Sequence, residues 1–190
     1  MGDDEIGVAP TDDPAIFTDD GLAPFRVIVF LSTTGDVLDD DQEQAMERFV
    51  NAGGGFVGIH AAADTEYDWP WYGGLVGAYF LSHPAPQLGL VEVLTTYHPV
   101  TAGMPAEFTV NEEWYDFQTR PGPAVTVLAT VDEQSYVGAT MGAPHPVAWA
   151  HEYEGGRSVY LAFGHDDGAF TEPLIRQMLD QALTWAAGPG

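Results

Sequence analysis

The stretch Gly54-Gly55-Phe56-Val57-Gly58-Ile59-His60-Ala61-Ala62-Ala63-Asp64 decides how this chain is read. Phe56 to Ile59 is a short apolar run that reads as a buried strand. It leads into a tight turn and a helix start. A strand-to-helix elbow holds one side chain out over the end of a sheet, and the residues around it must be small for the backbone to turn so sharply. Gly58, Ala61, Ala62 and Ala63 meet that need. Elbows of this kind usually carry Ser or Cys, whereas here the projecting position belongs to His60. A histidine is not the acyl nucleophile of an ordinary hydrolase, but it serves as a general base or a metal ligand. The plainer role is a hydrogen-bonding cap on the strand, and the local sequence leaves these alternatives open.

On the N-terminal side, Arg26 to Leu31 is a continuous apolar run after its first residue, as in a strand buried on both faces. Asp40 followed by Glu43 predicts a capping-box start, and Ala45, Met46, Phe49 and Val50 then share one helical face. Gly53 to Gly55 stop that helix. Strand, helix and strand in this order predict a right-handed βαβ unit and a parallel sheet. Pro70 opens a short helix ending near Gly77. Further strands are expected at Leu88 to Leu94 and Val125 to Thr130. Val147 to Tyr153 and Ser158 to Phe163 form a hairpin around Glu154-Gly155-Gly156. The last helix has Thr171 as N-cap, Pro173 in its first turn, an apolar stripe from Leu174 to Leu183 and Gly188 as its stop. Residues 1–24 are weakly patterned, with one short strand at Ile6 to Ala9. No repeat or linker divides the 190 residues, so one domain is expected.

Composition narrows the function classes. With 45% hydrophobic and 12% aromatic residues the chain can build a sizeable core. Five basic residues, all Arg, face 29 acidic ones, for a net charge of -24. Nucleic acid is excluded as a partner, because phosphate contacts need a basic face. Polyanionic substrates would be repelled. The acidic residues are spread along the whole length, which fits a solvated shell suited to high salt better than one recognition patch. No cysteine is present, so thiolate catalysis, disulfides and Cys-ligated zinc are out. No apolar run is long enough to span a bilayer, and Met-Gly-Asp-Asp-Glu is not a signal peptide. No membrane partner is expected, and a cytoplasmic location is the default.

Ligands of an open parallel sheet bind at the carboxyl ends of the strands. His60 and His165 fall at such ends. His83 and His145 sit in loops, each before a proline that stiffens the backbone. Asp64, Glu113 and Tyr115 are placed to join them. Such a set could bind Zn²⁺ or another divalent ion, or do acid–base work on a polyol. Trp69 and Trp71 are either ordinary packing over the sheet end or a wall on which a sugar ring stacks.

Ser32 to Leu38, Gly53 to Asp64 and Tyr67-Asp-Trp-Pro-Trp-Tyr72, together with Ser82-His83-Pro84, His98-Pro99, Glu113-Trp114-Tyr115, His145-Pro146 and Gly164-His165, resemble the ThuA-like (trehalose utilisation) family. The resemblance runs from about residue 25 to the C-terminus. It implies a flavodoxin-like three-layer α/β sandwich similar to class I glutamine amidotransferases, here expected as a mostly parallel sheet with a C-terminal antiparallel hairpin. Those enzymes place Cys at the elbow. His60 stands there instead, so glutaminase chemistry is not implied. The family is linked to catabolism of trehalose and keto-sugars, which makes a small sugar the expected partner. Two readings follow. One is an isomerase or hydrolase with His60, His165, Glu113 and Asp64 as catalytic groups, Trp69, Trp71, Tyr115 and His145 around the substrate, and His60, His83 and His165 as metal ligands. The other is a non-catalytic carbohydrate-binding or accessory domain. Family members usually begin with a further strand, a loop and a helix, which this chain is expected to lack. The edge of Val27 to Leu31 would then be paired by Ile6 to Ala9, covered by a second copy in a homodimer, or left exposed.

The charge generates the first prediction. Self-repulsion of 24 net negative charges is screened over about 10 Å at 0.1 M salt. The Tm should rise between low and molar NaCl, and calorimetry showing a flat or falling Tm would refute the high-salt reading.

Overall fold

The computed structural model describes residues 6–189; Met1 to Glu5, the segment read above as no signal peptide, lie outside them. In chain order the elements are α1 (Asp19–Leu22), β1 (Val27–Leu31), α2 (Asp40–Asn51), β2 (Gly55–Ile59), α3 (Pro70–Val76), β3 (Phe80–Ser82), β4 (Gln87–Val93), β5 (Glu107–Glu112), β6 (Asp116–Phe117), β7 (Thr126–Asp132), β8 (His145–Tyr153), β9 (Gly156–Leu161) and α4 (Pro173–Ala186). Seven strands form one sheet in the order β1-β2-β9-β8-β7-β4-β5, and β3 pairs with β6 apart from it.

The parallel βαβ unit is present: β1 and β2 are in register from Val27↔Gly55 to Leu31↔Ile59, and β9 adds parallel to β2. The expectation of a mostly parallel sheet is corrected. The remaining four neighbour pairs, β9 with β8, β8 with β7, β7 with β4 and β4 with β5, are antiparallel, so the sheet is mixed. The cause is local. Glu154 and Gly155 both take positive φ (46° and 101°), the geometry of a two-residue hairpin turn. That turn sends β9 back alongside β8, where a helical crossover would have kept the direction parallel.

Side chains alternate across β2 and β9 and divide the core into two layers. On one face Ser158 Oγ donates to Leu75 O of α3, and Phe56 packs edge-on against Tyr72. On the other face Arg157 donates to Trp185 O of α4, and Gly55 lies so close to Ala186 that a Cβ would meet its carbonyl oxygen at 2.3 Å. Helices therefore cover both faces, as in a three-layer α/β sandwich.

Three local expectations are revised. The α2 capping box is built one residue earlier than expected: Asp39 accepts from Asp41 and Gln42 N–H, and the Gln42 side chain accepts from Asp39 N–H. Thr171 does not cap α4; it belongs to a 3-10 turn and donates to Gly168 O, and Glu172 takes the cap position without a side-chain bond. β1 is buried on one face only. Ile28 and Phe30 are buried, but Val29 and Leu31 are exposed, because α4 lies over β2 and β9 and stops short of the edge strand. Ile6 to Ala9 forms no strand, its Ile6 and Val8 are exposed, and among the described residues the outer edge of β1 stays unpaired.

A buried carboxyl fixes the loop after β1. Glu66, at φ 54°, accepts from the N–H groups of Val37 and Leu38, both at 2.9 Å. Burial, with Asp36 adding to it, pushes its acid above the ordinary value near 4.5. A raised folded value means that the folded state holds the proton more tightly, so this group's contribution to stability is fully present below about pH 4.5 and is lost as pH rises through the raised value. The stability difference between wild type and Glu66→Gln should therefore shift against wild type from pH 4.5 to pH 7 in urea titrations; a pH-independent difference would refute it.

Candidate active site

His60 is the last step out of β2. The strand ends at Ile59 in extended backbone, and His60 turns into the left-handed region at φ 49° to start a 3-10 turn over His60–Asp64. A non-glycine residue held there costs about 1–3 kcal/mol, a strain that persists only where its surroundings enforce it. They do: Tyr160 OH donates to His60 O at 2.7 Å, and the ring Nδ1 lies 3.1 Å from Ala162 O. Gly58 must be small, since a Cβ would press on the Phe56 ring and Ala62 at 3.1–3.3 Å.

Glu113 sits at the centre of the cluster. Its Oε2 lies 3.2 Å from His60 Nε2 and 3.1 Å from His165 Nδ1, and its Oε1 lies 3.0 Å from His83 Nδ1. His60 and Glu113 are buried, whereas His83 and His165 are about a third exposed and form the mouth. Ala162 O can only accept, so His60 Nδ1 carries the proton and Nε2 presents its lone pair toward Glu113. Burial holds the His60 imidazole below its ordinary value; the bonds to Ala162 and Glu113 oppose that effect without reversing it. Tyr115 packs its ring 4.1 Å from that of His60 and 4.3 Å from Phe80. Burial first, then the carboxylates of Glu113, Asp64 and Glu112, push its phenol well above the usual range.

Of the residues that the sequence grouped, His60, His83, Glu113 and His165 come together around one carboxylate, with Tyr115 packed against the His60 ring. Asp64 is at the rim, where its Oδ1 accepts from Tyr67 OH at 2.6 Å. Two expectations are corrected. Trp69 and Trp71 stack on each other and donate to Glu47 and Glu154, so they pack around α3 and the β8–β9 hairpin and form no wall beside His60. His145 is fully buried and does not line the crevice; its Nε2 lies 2.8 Å from Tyr115 O and its Nδ1 3.0 Å from both Glu133 Oε1 and Tyr136 OH, which braces the wall from behind.

Sequence reasoning missed Glu112. Its buried carboxylate accepts from Gly164 N at 2.6 Å, His165 N at 3.2 Å and Glu113 N at 3.2 Å. One side chain thus ties the loop carrying His165 to the strand end carrying Glu113. The signal was present in the doubled Glu112-Glu113 between two hydrophobic segments, since two adjacent carboxylates in such a setting each need a buried partner. A cavity of about 590 Å³ lies elsewhere, at the opposite ends of β1 and β2. It contains no histidine, and its Asp19 is paired with Arg48, so it offers no comparable chemistry.

The ThuA (trehalose utilisation) family model matches residues 2–186. This chain belongs to the ThuA family. A ThuA-like protein of Bacteroides uniformis is 30% identical over 93% of this chain and 75% of its own, with a TM-score of 0.81. One from Parabacteroides merdae is 20% identical over 88% and 72%, at 0.74. A cytoplasmic protein of Salmonella typhimurium shares the fold at 13% identity over 91% and 78%, at 0.66. A search of curated proteins finds no match. Among the described residues no helix is long and apolar enough to cross a membrane.

Removing the Glu112 carboxylate in Glu112→Ala should cost about 1–3 kcal/mol, because buried N–H groups lose their acceptor. It should also speed amide exchange at Gly164 and His165. His83→Ala, at the exposed mouth, should stay within about 0.5 kcal/mol of wild type. Unchanged exchange at those two amides in Glu112→Ala would refute the clamp.

Proposed function

We propose that this ThuA-family chain is an enzyme of sugar catabolism that acts on a trehalose-type or keto-sugar substrate as an isomerase or hydrolase. The observation that carries the reading is the carboxylate of Glu113 shared among His60, His83 and His165 at 3.0–3.2 Å beside an open mouth. Either reaction needs one group to take a proton and another to give one within reach of the same substrate atoms. Here a buried, neutral imidazole is paired with two outer histidines that contact solvent. His60 is the inner group, held rigid by its backbone. His165 and His83 are placed to exchange protons with substrate hydroxyls. Glu113 orients all three rings, and Tyr115 closes the inner wall.

The arrangement suits a small neutral polyol. The carboxylates around the mouth repel anions, and no arginine approaches Glu112 or Glu113 among the described hydrogen bonds and ion pairs. The test is a panel of disaccharides and 3-keto-glycosides, assayed for turnover and, separately, for binding. Wild type should turn over at least one of them. Glu113→Gln and His60→Ala should lose about 10²–10⁴-fold in kcat while binding persists. Sugar binding without turnover in wild type would replace this reading with a carbohydrate-binding accessory domain.

A further inference from the structure

We propose that His60 Nε2, Glu113 Oε2 and His165 Nδ1 form a three-ligand site for a zinc-like first-row divalent cation, with its fourth position open toward the crevice mouth. The site is the one on which the sugar-enzyme reading rests, but the inference concerns metal uptake and is read without activity.

The spacing fits. Ligand atoms around a tetrahedral ion at 2.0–2.1 Å lie roughly 3.3 Å from one another. The two contacts to Glu113 Oε2 are 3.2 and 3.1 Å, and all three ligand atoms lie within 4.8 Å of each other. Ala162 O can only accept, so in the neutral ring His60 holds its proton on Nδ1 and leaves Nε2, 3.2 Å from Glu113 Oε2, with a lone pair for a cation. His83 Nδ1 lies 3.0 Å from Glu113 Oε1, but its proton bonds to Pro84 O, so the Glu113 carboxylate keeps lone pairs for a cation. A cation between His60 Nε2 and Glu113 Oε2 turns the opposed lone pairs into two bonds.

The His60 ring has an outer partner of the kind that orients metal ligands, Ala162 O. Glu112 holds the backbone of His165, and His83 lies 3.0 Å from Glu113. Two imidazoles and one carboxylate suit zinc and its neighbours. Mg²⁺ and Ca²⁺ prefer six or more oxygens. The second cluster of this type, Asp116, Glu133 and His145, is a closed brace by contrast. Thr140, Gly142 N, Tyr136 and Tyr115 O already satisfy it.

The experiment is a Co²⁺ and Zn²⁺ titration of chelator-stripped full-length chain, with Mg²⁺ as the control for the acidic surface. The expected result is one Co²⁺ per chain with the visible absorption of a four- or five-coordinate ion, displaced by Zn²⁺. The Tm should rise by roughly 5–10 °C at free Zn²⁺ 100-fold above Kd. His165→Ala, on the exposed side, and Glu113→Gln should abolish the spectrum. His83→Gln should keep it with about 10–100-fold weaker affinity. Absence of Co²⁺ absorption in folded wild type overturns the proposal. So does stabilisation that Mg²⁺ reproduces and the variants retain. Stoichiometric zinc without turnover on any sugar would leave this inference standing and remove the catalytic reading; turnover by metal-free protein that takes up no ion would do the reverse.

Discussion

Four strand-to-strand steps separate β9 from β5, a span of about 19 Å in a flat sheet. Yet Glu112, at the end of β5, accepts hydrogen bonds from Gly164 and His165 just beyond β9. The sheet must therefore curl back on itself, and this contact closes the curl. The twist inherent in strands gives the direction. The space enclosed is filled by large side chains from both ends of the curl, with Phe163 packed near Phe108 and Trp114. Without that closure Glu113 would lie far from His60 and there would be no cluster. A carboxylate removed from water is costly unless it is bonded. Glu112 resolves its own cost with three backbone N–H groups, and in doing so fixes the distance between the two halves of the site.

The elbow at His60 is the second constraint. Its left-handed backbone points the ring across the strand ends, and small residues at Gly58 and Ala62 make room for the turn. The strain is held by bonds from elements far apart in sequence, Tyr160 on β9 and the carbonyl of Ala162. Hence the same β9 that pairs with β2 also locks the residue β2 presents, and strand pairing and site geometry are one cooperative unit.

The five arginines show how an acidic chain spends scarce positive charge. Arg26 donates to the carbonyls of Ala187, Gly188 and Pro189, and Arg157 to that of Trp185, so two of them satisfy the C-terminal end of α4. Arg120 does the same for Met141, Gly142 and Pro144 in the loop that covers Asp116. Among the described residues only Arg48 pairs with a carboxylate, Asp19, at an exposed site. Exposed pairs contribute little. The acidic surface is thus largely uncompensated, and stability rests on the core and on polar groups tied to backbone.

The sequence by itself determined the elements whose signals are local. The alternation and small residues of Gly54 to Asp64 specified the elbow, Pro70 and Gly77 bounded α3, and Glu154-Gly155 specified the β8–β9 turn, because turn and cap geometry is set by one or two residues. Motif-level resemblance located the family and four of the crevice residues. Tertiary structure alone decided the rest. Sheet direction depended on which strands became neighbours, which no single strand encodes; the exposure of Val29 and Leu31 depended on how far α4 reaches over β1. Trp69 and Trp71 were sent to packing by partners on α2 and the hairpin. Glu112 became a clamp only through the curl that brought β5 to β9. These outcomes arise from contacts between residues distant in the chain, and periodicity, which reports only a residue's nearest neighbours, carries no record of them.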